Sequence, residues 1–260
     1  ALRDLDRLAE ALESYDRALA IEPDYAEAFS NRGTVLQASR RLPEALASYD
    51  RALELAPDHL QTLANRASVL ADLRRPREAI AGYERAIAIR PDFAEAHVDA
   101  AMCRLLLGDY RAGWEEYEWR WQIPALQADR PKLGGHAWLG KESLAGKTIL
   151  LWCEQGLGDS IQFCRFVRSV AAQGATVLLW AQAALESLMG GLEGVSRVLR
   201  PGEHVPVTDY FCALLSLPFA LQIDADSIPA ERQYLYADPA RIAAWSERLG
   251  PRRRPRIGLV

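Results

Sequence analysis

Three stretches of the chain superimpose in steps of 34 residues: "YDRALAIEPDYAEAF" from Tyr15, "YDRALELAPDHLQTL" from Tyr49 and "YERAIAIRPDFAEAH" from Tyr83. The same step links Ala11, Ala45 and Ala79, then Ala18, Ala52 and Ala86, then Pro23, Pro57 and Pro91. A fourth, degraded copy keeps Gly113 and Tyr117 but has Ala125 where the proline falls. Such a period calls for one supersecondary unit per repeat, here a pair of antiparallel helices. Small residues such as Ala45, Ala52 and Gly33 let helices approach, and Tyr49, Leu53 and Leu36 fill the space between them. Each proline stops the helix before it. The next helix opens at "DYAEAF" or "DFAEAH", where Asp24 or Asp92 is expected to cap it. One pair cannot bury its own apolar face, so neighbours stack into a superhelix.

This pattern resembles the tetratricopeptide repeat (TPR) in length and in the placement of its small, aromatic and proline residues. Two complete repeats are expected at 26–59 and 60–93, with a divergent third at 94–127 and a half-repeat before them. The first helix of each repeat is expected to line the concave surface, with Asn31, Asn65 and Asp99 at one equivalent position. Two side-chain amides in a column can hold the backbone of an extended peptide; Asp99 breaks the column. The O-GlcNAc transferase superhelix is similar, with an asparagine ladder of this kind. The alternative is that asparagine is simply a solvated residue there.

The array ends in "DYRAGWEEYEWRWQIP", with Trp114, Trp119 and Trp121. The first reading is an apolar seal against the next domain; a sugar-stacking platform is the other. Residues 128–147 have Pro, Gly and Lys but no period and read as a linker, in which His136 is structural or solvated. After it strands and helices alternate: strands at 147–152, 175–180, 195–200 and 209–217, helices at 160–173 and 183–192, a short helix near Pro218–Gln222, a strand or extended piece at 233–238, and a helix from Pro239 to Gly250. Alternation of this kind implies a parallel sheet with right-handed crossovers. "PRIGLV" at 255–260 reads as the first strand of a further α/β domain, after an arginine- and proline-rich linker.

Composition excludes several classes. The first 127 residues carry 16 Arg and 22 Asp or Glu; the rest carry 15 Lys or Arg and 13 Asp or Glu. Neither half has a basic field suited to nucleic acid. No stretch approaches the ~20 apolar residues of a membrane span. No signal peptide opens the chain, and a cytoplasmic location is expected. Cys103, Cys153, Cys164 and Cys212 form no CxxC and no metal-ligand spacing with the four histidines, so buried reduced thiols and no metal are expected.

"LWCEQGLGDSIQFC" (151–164) joins the first strand to the first helix. In an open α/β sheet, ligands bind outside the carboxyl ends of strands, and helix N-termini suit phosphates. Gly156 and Gly158 would let the backbone turn sharply and a ligand approach. The pattern is neither GxGxxG nor GxxxxGK[ST], which sets aside dinucleotide dehydrogenases and P-loop hydrolases. Asp159 reads either as the helix N-cap or as a carboxylate at a cleft mouth that takes a proton from a hydroxyl. Glu154 and Gln155 lie at the strand's end, where Glu154 can bind a ligand hydroxyl or orient the loop. Gln162 and Arg165 share a helix face; Arg165 meets a phosphate or is solvated and ion-paired.

The repeats, the Trp-rich last helix, "LAGKTILLWCEQGLGDSIQFCRF", "ALLSLP" and "PRIGLV" together resemble bacterial TPR proteins with a glycosyltransferase family 9-like domain, the heptosyltransferase type. The resemblance implies a TPR α-solenoid at 1–127, the linker, a Rossmann-like α/β domain at 148–250 that is the amino-terminal half of a GT-B fold, and at 251–260 the start of a carboxyl-terminal domain. It implies hexosyl or heptosyl transfer from a nucleotide sugar to a protein acceptor, with Asp159 as general base and Glu154, Gln155, Gly156, Gly158, Gln162 and Arg165 around the acceptor. The nucleotide sugar is a co-substrate of the parent and no cofactor is implied. The donor sits mainly on the carboxyl-terminal domain in that family, so this stretch alone is expected to be inactive. A non-catalytic TPR scaffold is the alternative, and a lipopolysaccharide-type acceptor is a third.

Overall fold

The computed structural model describes residues 7–128, 133–200, 202–231 and 233–250, and the chain divides into two compact units, Ala1–Asp129 and Arg130–Val260.

The first unit is helical. α1 (Leu8–Ile21) precedes three helix pairs: α2 (Ala26–Ala38) with α3 (Leu42–Leu55), α4 (Leu60–Asp72) with α5 (Pro76–Ile89), and α6 (Ala94–Leu106) with α7 (Tyr110–Tyr117). Each helix packs on the next. Pro23, Pro57 and Pro91 stand two residues past α1, α3 and α5. Ala45, Ala52, Ala79 and Ala86 are sealed in the interior with Tyr49 and Tyr83. The first helix of each pair closes on a residue in the left-handed region: Arg40 (φ 59°), Arg74 (φ 62°) and Gly108 (φ 83°), again 34 apart. The amide after each donates to a carbonyl five residues back, Arg41 to Leu36, Arg75 to Leu70 and Asp109 to Arg104, at 2.9, 2.9 and 3.0 Å. These bonds satisfy carbonyls left over at the helix end.

Asp24 and Asp92 do not cap their helices. Tyr25 and Phe93 occupy the N-cap positions of α2 and α6, with no side-chain cap bond. Asp24 instead accepts a hydrogen bond from Arg51 at 2.9 Å, and Asp58 accepts one from Arg85 at 3.1 Å. The position 27 residues after Asp92 is Trp119, whose ring stacks on His97 at 4.1 Å and 3°. The third repeat thus has an aromatic stack where the others have an ion pair. Its second helix also stops early, passing at Tyr117 into a 3-10 turn (Glu118–Gln122) and then α8 (Pro124–Ala128).

The second unit holds a five-stranded parallel sheet. Its elements are β1 (His136–Ala137), β2 (Thr148–Trp152), α9 (Leu157–Phe163), α10 (Val167–Ala171), β3 (Thr176–Trp180), α11 (Glu186–Met189), β4 (Val195–Leu199), β5 (Tyr210–Ala213), α12 (Leu217–Ala220) and α13 (Pro239–Leu249). The strand order is β1-β5-β2-β3-β4. Trp152 pairs with Trp180 and Ala213 at the carboxyl edge. Ile149, Leu150 and Leu151 of β2 are fully buried, as a central parallel strand covered on both faces requires.

Several elements differ from expectation. Within the stretch read as a linker, His136–Ala137 forms an edge strand on β5, with Trp138 buried beside it. Gly140 adopts φ 88°, and a Cβ there would lie 2.0 Å from the Ala220 carbonyl oxygen, so this stretch packs tightly on the unit. His136 is exposed, in agreement with a structural or solvated role. The helix after β2 begins at Leu157 rather than 160 and is broken by a 3-10 turn (Cys164–Phe166). The stretch 209–217 is strand only over Tyr210–Ala213, then turns helical while remaining buried. Helix 183–192 is reduced to a 3-10 turn (Ala183–Leu185) and α11. Residues 233–238 form no regular element and do not pair in the sheet. The strand expected at 255–260 and the linker before it lie outside the described residues.

Candidate functional site

Two places gather the predicted residues. The first is the exposed stripe along the first helix of each repeat. On α2 it runs Glu27, Asn31, Thr34, Ala38; on α4, Gln61, Asn65, Ser68, Asp72; on α6, Glu95, Asp99, Met102, Leu106. Polar bonds join α2 to α4 beside the stripes: buried Ser30 accepts from buried Thr62 at 2.7 Å, and Gln37 donates to Ser68 at 3.2 Å. The Tyr49 hydroxyl sits 3.2 Å from both Thr34 and Gln37. One repeat on, the Tyr83 hydroxyl meets Ser68 and Asp99, and burial pushes its acidity far down.

Asn31 is exposed and Asn65 half-buried. Asn65 accepts from Gln61 at 2.8 Å and donates to Thr34 of α2 at 3.5 Å, so both the oxygen and the nitrogen of its amide already have a partner. Asp99 is exposed as a residue, but its carboxyl end lies against Tyr83; desolvation raises it above the usual carboxylate range, while the Tyr83 hydrogen bond works the other way. Met102 and Leu106 are 55% and 62% exposed, which places an apolar end on an otherwise polar stripe. Reading the 34-residue register through to these two positions finds them; reading only the asparagine column does not.

The second place is the loop from Cys153 to Gly156. The strand order reverses between β2 and β5, and this loop leaves the carboxyl end of β2 at that reversal. Open parallel sheets bind ligands in the crevice at such a point. Gln182, just past β3, ties the loop down. Its amide nitrogen donates to the Gln155 carbonyl at 2.7 Å, and its amide oxygen accepts from the Ser160 hydroxyl at 3.0 Å.

Asp159 is not the N-cap of α9. Gly156 holds that position, and Asp159 sits three residues in, accepting from the Gly156 amide at 3.2 Å. A carboxylate at the third helical position satisfies one of the amides that a helix start leaves unpaired. It also places negative charge where an anion would approach, so the loop suits a neutral hydroxyl better than a phosphate. The glycines do not work as expected either. Gly156 has φ −65° and Gly158 lies inside the first helical turn, and neither is among the positive-φ residues. What Gly158 leaves is space: a Cβ there would meet nothing within 4 Å.

Glu154 is half-buried, Gln155 exposed and Gln162 exposed. Arg165 is turned to another task. It donates to the Gln162 carbonyl at 2.9 Å and to the Tyr234 hydroxyl at 3.1 Å, with its guanidinium 4.8 Å from that ring's centre. Tyr234 in turn donates to the Ile161 carbonyl at 3.1 Å. Burial pushes the Cys153 thiol up to about 11 and the Cys164 thiol up to about 12, so neither supplies a thiolate near neutrality. Among the described residues no group of three or more His, Cys, Asp and Glu could hold a metal ion, and no helix is long and apolar enough to cross a membrane. Gln182 and Tyr234 carry no sequence signal, since each meets the loop or its helix from 20 or more residues away.

Comparisons with known proteins bear on the two units differently. Residues 24–92 match the family model of the tetratricopeptide repeat, and residues 1–39 match a second model described as TPR repeat. Protein FlbA of Caulobacter vibrioides is 31% identical over 181 residues, covering 60% of this chain and 29% of that protein. The chain therefore spans less than a third of this relative's length. Among solved structures, MamA is similar with 19% identity and a TM-score of 0.46 over 48% of this chain and 73% of that one. YrrB, described as a TPR protein with an unusual peptide-binding site, is similar with 23% identity and a TM-score of 0.44 over 49% and 66%. The helical unit is a TPR array, a fold that suggests protein–protein interaction.

Proposed function

We propose that the TPR array binds a polypeptide in its concave stripe and that residues 148–250 form the acceptor-side half of a GT-B-type sugar transferase. The observation that carries the second part is the position of the Cys153–Gly156 loop at the reversal of strand order between β2 and β5. Taken without edge strand β1, the order β4-β3-β2-β5 is that of the first four strands of a Rossmann sheet, 3-2-1-4. The FlbA match covers about 156 residues of this chain, more than the 129 of the first unit, so that similarity extends into the second unit.

In this reading the Asp159 carboxylate takes the proton of an acceptor hydroxyl as its oxygen attacks the anomeric carbon, and the nucleoside diphosphate leaves. General-base assistance of this kind contributes about 10²–10⁴-fold. Glu154 and Gln155 would line the acceptor, with Gln182 holding their loop. Gln162 on α9 and Arg165 in the 3-10 turn after it would back the site, and no cofactor takes part.

The test is sugar transfer by the full-length protein from radiolabelled nucleotide hexoses and heptoses to its co-purifying polypeptide partners. Transfer that falls at least about 100-fold in Asp159→Asn, with folding retained, supports the reading. No transfer or donor hydrolysis from any nucleotide sugar, together with intact cellular function in Asp159→Asn, leaves the array as a non-catalytic scaffold.

A further inference from the structure

The stripe that would hold a polypeptide is not uniform along the array. Its charged members on α2 and α6 are all acidic: Glu27, Glu95 and Asp99. On α4 the charged member is Asp72, 3.8 Å from exposed Arg40. The arginines of the same helices are drawn away from the stripe. Arg32 pairs with Asp16 at 2.7 Å, Arg66 with Asp50 at 2.5 Å, and Arg104 with Glu84 at 2.6 Å and with Glu116. Each of these pairs reaches a neighbouring helix that is not part of the stripe, α1, α3, α5 or α7, so these arginines are matched with carboxylates there and not with those of the stripe.

At the α6 end the stripe also becomes apolar. Thr34 and Ser68 are followed at the equivalent position by Met102, and Ala38 and Asp72 by Leu106. Both α6 side chains are more than half exposed, one turn apart, on the same face as Asp99. Exposed apolar side chains gathered next to a partly desolvated carboxyl are costly in a free surface and gain most when a partner covers them.

We infer that the α6 end of the groove selects an extended polypeptide segment carrying a Lys or Arg for Asp99 and Glu95 and an aliphatic side chain for Met102 and Leu106. Asp99 and Leu106 are seven residues apart on one helix, a rise of about 10 Å. An extended chain covers that distance in about three residues, so the cation and the aliphatic side chain lie within three residues of each other. In this placement the segment runs along α6, and the third repeat supplies the choice. The inference rests on the reading of the array as a polypeptide-binding groove and is independent of sugar transfer.

The experiment selects from a degenerate library of dodecapeptides on the immobilised 260-residue chain and sequences the bound pool. The most enriched peptide is then titrated by fluorescence anisotropy against the parent chain and against Asp99→Asn, Leu106→Ser and Asn65→Ala. The expected pool is enriched in Lys or Arg with Leu, Ile or Met within three residues. Asp99→Asn is expected to weaken the enriched peptide about fivefold, as loss of one exposed pair does. Leu106→Ser is expected to weaken it about tenfold through lost apolar contact. All three substitutions are at exposed or half-buried polar-stripe positions, and circular dichroism checks that each variant is folded. A pool without charge preference, or one enriched in Asp and Glu, overturns the inference. So does unchanged binding by Asp99→Asn and Leu106→Ser while Asn65→Ala weakens it, an outcome that keeps the groove and removes its selectivity. A pool with no enrichment at all overturns the groove reading as well.

Discussion

A Cβ built on Gly33 would lie 2.6 Å from Cε1 of Tyr49, inside the distance that real Cβ atoms keep. The tyrosine is fully buried between α2 and α3, with its hydroxyl held by Thr34 and Gln37, so the ring has no free direction in which to move. Gly33→Ala is therefore an overpacking substitution despite the better helix propensity of alanine. It is expected to destabilise the array by about 1–3 kcal/mol, partly offset by about 1 kcal/mol of propensity. Urea titration followed by circular dichroism measures it. An equal or higher midpoint would mean that α2 can shift away from α3 at little cost.

Arg40 and Arg74 carry left-handed backbone at the position where the third repeat has Gly108. For a non-glycine residue that conformation costs about 1–2 kcal/mol, and the greater unfolded-state freedom of glycine returns about 0.5–1 kcal/mol of it. Arg40→Gly and Arg74→Gly are each expected to stabilise the array by about 0.5–1 kcal/mol, additively because they sit in separate repeats. The exposed Arg40–Asp72 contact at 3.8 Å contributes little that would be lost. A lower thermal midpoint in the double variant would show that the arginine side chains do more at these corners than their backbone strain costs.

The repeats were legible because their packing constraint recurs: a close approach needing small residues at 34-residue intervals leaves a mark that one sequence suffices to reveal. Features that depend on a partner elsewhere in the chain were not. Asp24 has the composition of a cap, yet Arg51, 27 residues later, takes its carboxylate. Asp favours N-caps, which makes Asp159 one candidate for the helix start, yet Gly156, three residues earlier, holds that position. Between Tyr210 and Leu217 only Ser216 is polar, and periodicity cannot tell a buried strand from a buried helical turn, so the change after Ala213 is not marked by the pattern. The sheet order was legible only as parallel; the reversal beside the glycine loop needed the strand pairing itself.

Asp209 ties three strands together at the edge opposite the loop. Its carboxylate accepts from the Thr148 amide at 2.9 Å and from Lys147 at 3.1 Å, while its carbonyl accepts from the His136 amide at 3.1 Å. The Thr148 hydrogen bond, then Lys147, holds its carboxyl below the usual carboxylate range. A depressed folded-state value means stability that is present above the unfolded value near pH 3.9 and is lost as pH falls through the folded value. Asp209→Asn is expected to lower the thermal midpoint at pH 7 and to flatten its fall between pH 4 and the acid end. A midpoint profile parallel to that of the parent chain across this window would show that Asp209 does not link folding to protonation.

Gly158 offers the sharpest separation between folding and ligand approach at the loop. The residue is in the first turn of α9 without positive φ, and an added Cβ meets nothing within 4 Å. Gly158→Ala is therefore expected to be neutral or to stabilise by up to about 1 kcal/mol, the helix-propensity difference. If a ligand approaches the backbone there, the added methyl group intrudes on it, and acceptor KM in the full-length protein rises about tenfold or more while the thermal midpoint holds. Gly158→Val, larger but equally clear of neighbours at Cβ, raises it further. Unchanged acceptor KM in both variants would move the site away from this face of the loop, and with it the assignment of Asp159 as base.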